Sequence, residues 1–177
     1  EDEKVVAYNT DAPGFLKAIE SFGNIKRVLV LGAGGTAKAI ALILQEKNID
    51  VVVLNRSKEK LEFFKNNGIK AFSFDDFDFK NEKFDLVVNS TSAGLKDDFL
   101  PAPKEILENI LSKSSFAFDC IYGKLTPFLA LAKSFNNKIK DGEDMLLYQG
   151  VLAFELLTKT KADNMVIEAM RRGLKGE

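Results

Sequence analysis

Histidine does not occur in the 177 residues, and cysteine occurs once, at Cys120. Without histidine a zinc site built from Cys and His is excluded, and so is histidine-based acid–base chemistry. Carboxylate, lysine, tyrosine or water must move any proton, and no metal centre is expected. A lone cysteine rules out a disulfide within the chain and fits a reducing compartment, so a cytoplasmic location is expected. With apolar Phe118 and Ile121 close by, Cys120 reads as a packing residue rather than a reactive thiol. Neither sign of charge is in excess: 25 Lys and Arg face 26 Asp and Glu, for a net charge of -1. No basic stripe or acidic tail appears, which argues against nucleic acid and anionic membrane as partners. No apolar run reaches membrane-spanning length, and no charged-then-apolar leader opens the sequence. Internal repeats, low-complexity tracts and long linkers are also missing. A chain of this length buries roughly 70% of its unfolded surface, enough for one sizeable core.

What is present is concentrated at Arg27-Val28-Leu29-Val30-Leu31, which runs into Gly32-Ala33-Gly34-Gly35-Thr36-Ala37 and then Lys38-Ala39-Ile40-Ala41-Leu42-Ile43-Leu44. The apolar run is short, β-branched and stops at a glycine, so it reads as a strand buried on both faces. Gly32 permits the tight turn, Gly34 lets backbone approach a pyrophosphate, and Ala37 takes the third small position, where helix and strand pack. The helix start beyond them offers free amide protons and a positive dipole end to a phosphate. A glycine-rich turn that merely packs is the alternative. A second buried strand, Asp50-Val51-Val52-Val53-Leu54, ends at Asn55-Arg56-Ser57 with Lys60 close behind. That is where such a fold meets the adenosine ribose. Basic residues with no carboxylate at the strand end suit a 2′-phosphate, hence NADP rather than NAD. The competing reading makes Arg56, Lys58 and Lys60 the solvated start of a helix reaching Asn67, capped by Ser57.

The remaining pattern alternates strand and helix, as a doubly wound α/β domain with a parallel sheet should. Expected strands are Val5–Tyr8, Ile69–Phe72 after a stop at Gly68, Phe84–Asn89, Phe116–Asp119 and Lys138–Lys140. Expected helices follow Pro13 as far as Gly23, then run over 102–111, 126–135, 143–158 and about 163–172. Asp75–Lys80 is expected to be connection or a short helix. Polar clusters lie just past strand ends, at Asn89-Ser90-Thr91-Ser92-Ala93-Gly94, Asp119-Cys120-Ile121-Tyr122 and Asp141-Gly142-Glu143-Asp144-Met145-Leu146. Open parallel sheets bind ligands there, although each cluster alone is also ordinary turn chemistry.

Asn9-Thr10-Asp11, the glycine stretch, Asn55-Arg56-Ser57, Asn89 to Leu95, Asp119 with Tyr122 and Thr126-Pro127, and Asp141-Gly142 with Met145-Leu146 and Gln149 occur in one order across nearly the whole chain. In that order and spacing the chain resembles the shikimate dehydrogenase family. The resemblance implies a Rossmann-like doubly wound parallel sheet with flanking and C-terminal helices, and NADP-dependent reduction of 3-dehydroshikimate to shikimate in aromatic amino acid biosynthesis. It implies an inter-domain strand and helix at 1–23, a cofactor domain at 24–141 and helices at 142–177 packing back toward the substrate cleft. Cofactor contacts are expected from Gly32, Ala33, Gly34, Gly35, Thr36, Ala37, Asn55, Arg56, Ser57, Lys60, Thr91, Ser92, Ile121, Gly142 and Met145. Asp11, Tyr122 and Gln149 are expected at the substrate, with Asp11 as the carboxylate that partners a catalytic lysine.

That lysine belongs to an N-terminal substrate domain which this chain, opening Glu1-Asp2-Glu3-Lys4 without a methionine, is expected to lack, as a fragment or processed product would. Lys4 has no matching motif around it, and the isolated chain is expected to be inactive. Other readings stay open. Asp11, before Ala12-Pro13, is also a candidate helix N-cap, and Gln149 could be an exposed helix residue with no role. The chain could serve as a non-catalytic NADP-binding module, or belong to a quinate-using branch. The Asn9-Thr10-Asp11 block and Gln149 favour the shikimate family over glutamyl-tRNA reductase and methylenetetrahydrofolate dehydrogenase.

Overall fold

The computed structural model describes residues 7–176, so Val5 and Val6 of the first expected strand lie outside it. Ala7 and Tyr8, the described part of that stretch, are not strand. The first regular element is helix α1, Asp11–Ile19, extended by a 3-10 turn at Glu20–Phe22 and stopped at Gly23. There follow β1 (Arg27–Leu31), α2 (Gly35–Glu46), β2 (Asp50–Asn55), α3 (Glu62–Asn66), β3 (Lys70–Ser73) and β4 (Leu86–Asn89). The chain continues through α4 (Lys104–Leu111), β5 (Phe116–Asp119), α5 (Pro127–Ser134), β6 (Lys138–Lys140), α6 (Glu143–Thr158) and α7 (Asn164–Lys175).

The six strands form one sheet in the order β3-β2-β1-β4-β5-β6, and every neighbouring pair is parallel. Alternate side chains of a strand point to opposite faces, and here both faces are covered. Val28, Val30, Val51, Val53, Leu86 and Val88 pack with α1, α2 and α3, while Leu29, Leu31, Val52, Leu54 and Val87 pack with α4 and α5. Strands buried on two sides must be apolar throughout, which explains why β1 and β2 lack an alternating pattern. Connections run to β2 and β3 on one side of β1 and cross to β4 on the other. The order therefore reverses between β1 and β4, leaving a crevice at their carboxyl ends.

Several expected boundaries move for identifiable reasons. Residues 58–67 do not form one helix: Lys58–Leu61 is a 3-10 turn and α3 starts only at Glu62. Ser57 makes no capping hydrogen bond. Its carbonyl instead accepts from Asn55 Nδ2 at 2.9 Å, closing a turn directly after β2. Helix α4 starts at Lys104 rather than Ala102, because Ala102 precedes Pro103 and is disfavoured in helical conformation. Asp11 is the first helical residue rather than the cap of α1. Thr10 occupies the cap position, and Asn9 Oδ1 accepts from the Ala12 amide at 3.1 Å. The Asp11 carboxylate is thereby left without a capping role.

Candidate functional site

The carboxyl ends of the central strands are level. Leu31 stands in register with Leu54 and Asn89, and Asn89 with Asp119. The chain leaves β1 through Gly32, whose φ of 111° favours glycine, and a Cβ there would meet Ser90 Oγ and Thr91 Cγ2 at 2.9 Å. Gly34 is different. Its backbone is extended, as any residue allows, and a Cβ on it or on Gly35 would meet nothing within 4 Å. Neither conformation nor packing within the chain demands glycine there, whereas a ligand pressed against the backbone would. No side chain caps α2 at Gly34, so the first-turn amides are open donors at the positive end of the helix.

Two pockets flank this turn. One, of about 780 Å³, is lined by Asn55 and Arg56 after β2 and by Thr91, Ser92 and the loop from Asp97 to Lys104 after β4. Arg56 is exposed and forms no ion pair with any described residue, while Lys58 is held by Asp76 at 2.8 Å. Lys60 is exposed on the 3-10 turn. The other pocket, of about 250 Å³, is lined by Asp11, Thr36, Cys120, Tyr122, Gly142, Met145, Leu146 and Gln149.

Packing explains how residues so distant in sequence share that second pocket. Asp11 and Phe15 lie one turn apart on α1, and Phe15 sits edge-on against Phe118 of β5 with ring centroids 5.2 Å apart. On α6, Met145 and Gln149 are likewise one turn apart. A Cβ at Gly14 would lie 2.9 Å from the Gln149 backbone nitrogen, so glycine sets the close approach of α1 to α6. The start of α6 is tied to the β5 loop by Gly142 N–H donating to the Ile121 carbonyl at 3.0 Å.

Beneath both pockets lies a buried polar cluster. Asp119, Asn89 and Thr126 are fully shielded from solvent. Asp119 accepts from Asn89 Nδ2 (3.1 Å to each oxygen), Thr126 Oγ1 (2.6 Å) and the Ile121 amide (3.0 Å). Asn89 Oδ1 accepts from the Thr91 amide at 3.0 Å and its hydroxyl at 2.8 Å, and Thr126 Oγ1 accepts from the Leu129 amide at 3.2 Å. Burial pushes the Asp119 carboxyl above its ordinary value, against the opposing pull of its donors. Burial, then Asp119 and Asp11, also drive the Cys120 thiol far upward, which keeps it protonated and unreactive.

A glycine turn with open amides, an arginine past β2 with no ion-pair partner among the described residues, and a polar pocket beside them suit a phosphate-bearing dinucleotide next to a small hydroxylated substrate. The family model for Shikimate / quinate 5-dehydrogenase matches residues 17–99, and that for the shikimate 5′-dehydrogenase C-terminal domain matches residues 142–175. The NADP(+) shikimate dehydrogenase of Helicobacter hepaticus is 44% identical over 94% of this chain and 62% of its own length. The chain belongs to the shikimate dehydrogenase family. Among solved structures, the Thermus thermophilus shikimate 5-dehydrogenase in complex with NADP(H) and shikimate is 33% identical with a TM-score of 0.78, over 95% of this chain and 63% of that one. The chorismate mutase/shikimate 5-dehydrogenase fusion protein of Clostridium acetobutylicum is 30% identical with a TM-score of 0.84, over 99% of this chain and 64% of that one. The chain thus spans between three-fifths and two-thirds of the relatives it matches.

Within the family's motifs, sequence reasoning attached no role to Asn89, Asp119 and Thr126. The available signal was a polar residue ending each of two adjacent buried strands, at positions the register then pairs. Gly14 was missed as well, because a glycine inside a helix carries no local mark of the neighbour it admits.

Proposed function

We propose that this chain is the NADP-binding part of a shikimate dehydrogenase, oxidising shikimate to 3-dehydroshikimate reversibly, in the cytoplasm. One observation carries the reading: α1 and α6 bring Asp11 and Gln149 into a single pocket with Thr36 and Tyr122, next to the glycine turn. The open amides at the start of α2 receive the diphosphate, with Gly34 admitting it. Arg56, free of ion pairs among the described residues, takes the ribose 2′-phosphate, which favours NADP over NAD. Asn55, Ser57, Lys60, Thr91 and Ser92 border the adenosine end, and Ile121, Gly142 and Met145 the nicotinamide end. When bound, the cofactor supplies or accepts the hydride. Asp11 holds the proton-transferring lysine implied by the family, while Gln149 and Tyr122 orient the substrate hydroxyls. The division into 1–23, 24–141 and 142–177 follows, with the outer parts meeting at α1 and α6.

The test is NADP-linked oxidation of shikimate, followed by nicotinamide absorbance. This chain is assayed beside a hybrid in which it is joined to the stretch of the Helicobacter hepaticus relative that it does not span. Turnover by the hybrid alone is the expected result. A hybrid that binds NADP but oxidises quinate in preference to shikimate would move the substrate assignment to quinate, and one that oxidises neither would remove it.

A further inference from the structure

The connection from β4 to α4 holds Phe99 outside the core while anchoring the backbone on either side of it. The Phe99 side chain is 71% exposed. Ahead of it, Asp97 Oδ1 accepts from the Gly94 amide at 2.8 Å and from the Phe99 amide itself at 3.0 Å. These two bonds hold the Asp97 carboxyl below the usual aspartate value. Gly94 is seated in turn against the start of α5: its φ is 87°, and a Cβ there would meet Pro127 Cδ at 3.2 Å. Behind Phe99, Leu100 packs against the core, and Pro101 and Ala102 are buried. The ring is therefore displayed by fixed structure.

A single exposed apolar side chain needs no explanation of its own. What sets Phe99 apart is the company it keeps. It lines the 780 Å³ pocket together with Arg56, Phe74 and Thr91. The charged groups of that pocket differ in what they admit. Arg56 suits a phosphate, whereas Asp97 and Asp98, on the same loop as Phe99, repel one, and Lys104 is paired with Glu108 at 3.5 Å. On the reading above, Arg56 receives the 2′-phosphate of the cofactor. The base hangs from the adjacent ribose carbon, so binding that phosphate brings the adenine into the pocket Arg56 shares with Phe99. Adenine is uncharged, so the two carboxylates do not oppose it, and its flat π-face stacks on an aromatic ring.

We propose that Phe99 is the platform on which the adenine base of the cofactor stacks. This inference rests on the NADP-binding reading, and it adds to the phosphate contact of Arg56 a contact to the base.

The test uses two probes: 2′,5′-ADP, which carries the ribose, its 2′-phosphate and the base, and ribose 2,5-bisphosphate, which has no base. The chain contains no tryptophan, so Phe99→Trp places a single indole emitter at this position. Saturating 2′,5′-ADP should quench that emission, and ribose 2,5-bisphosphate at the same concentration should not. In Phe99→Ala, calorimetry should show the dissociation constant of 2′,5′-ADP raised about tenfold, the scale of one base stacked on one ring, with Phe99→Tyr within about twofold of the parent. Because the ring is exposed, the unfolding temperature of Phe99→Ala should match that of the parent, which separates lost stacking from lost structure. Should Phe99→Ala fail to fold, the quenching in Phe99→Trp decides alone. Unchanged emission at 2′,5′-ADP concentrations that saturate the calorimetric titration, equal quenching by both probes, or an affinity of Phe99→Ala within about twofold of the parent overturns the proposal. If the unaltered chain binds neither NADP+ nor 2′,5′-ADP, the NADP reading itself fails and the proposal with it; if it binds both and the Phe99 variants bind as the parent does, only the proposal fails.

Discussion

At the residue scale, glycines separated by a single position do different work. Gly32 answers to the chain itself, through its positive φ and its contact with Ser90 and Thr91, whereas Gly34 has open space where a Cβ would go. Gly32→Ala should lower stability by about 1–3 kcal/mol, the range for forcing a non-glycine residue into strained backbone. Gly34→Ala should leave the unfolding temperature nearly unchanged yet weaken NADP+ binding by about tenfold, as expected where backbone must approach a phosphate. Thermal unfolding and calorimetric titration of the two variants check both halves. Asp11 supplies a second contrast. Because Thr10 and Asn9 occupy the capping positions of α1, Asp11→Asn should cost little stability. In the hybrid enzyme it should reduce kcat by about a hundredfold, the lower range for acid–base assistance, while the NADP+ dissociation constant stays within about twofold. Unchanged hydride transfer with collapsed cofactor affinity would contradict that role.

At the scale of elements, the placement of α6 is what completes the site, and an ion cluster holds it. Asp144, in the first turn of α6, bonds Lys140 of β6 at 2.6 Å and Arg171 of α7 at 2.7 Å, and Lys140 also donates to the Ala18 carbonyl of α1 at 2.8 Å. Burial works against the Asp144 charge, but Lys140 and Arg171 outweigh it and bring its pKa below the usual aspartate value. A carboxyl depressed in the folded state stabilises at pH above its unfolded value, and that contribution is lost as pH falls through the folded one. Asp144→Asn should therefore be less stable than the parent at pH 7, with the difference shrinking below about pH 4. Unfolding temperatures measured at pH 7 and pH 3 test the sign.

The elements that were legible from the sequence are those whose residues leave no choice. Strands β1 and β2 are apolar runs ended by turn residues, and β5, β6 and α6 were bounded as observed. The misreadings fall where a polar side chain has competing local partners. Asn55 bonds the Ser57 carbonyl and Asn9 the Ala12 amide, which leaves no capping role for Ser57 or Asp11, the alternative reading of each. The strip of residues lining the substrate side could be named from family motifs, but the reason they meet depends on Gly14 and Phe15, whose partners lie more than 100 positions away.

At the scale of the whole molecule, a six-stranded parallel sheet with its order reversed between β1 and β4 presents one edge that carries a glycine turn, an arginine with no ion-pair partner among the described residues, and a pocket lined by Asp11 and Gln149. The central claim is that this edge binds a dinucleotide carrying a 2′-phosphate. Calorimetric titration of the chain with NADP+ and with NAD+ tests it most directly. The account predicts NADP+ binding at least about tenfold tighter, carried by the charge-assisted contacts of Arg56. NAD+ binding equal to or tighter than that of NADP+ would contradict it.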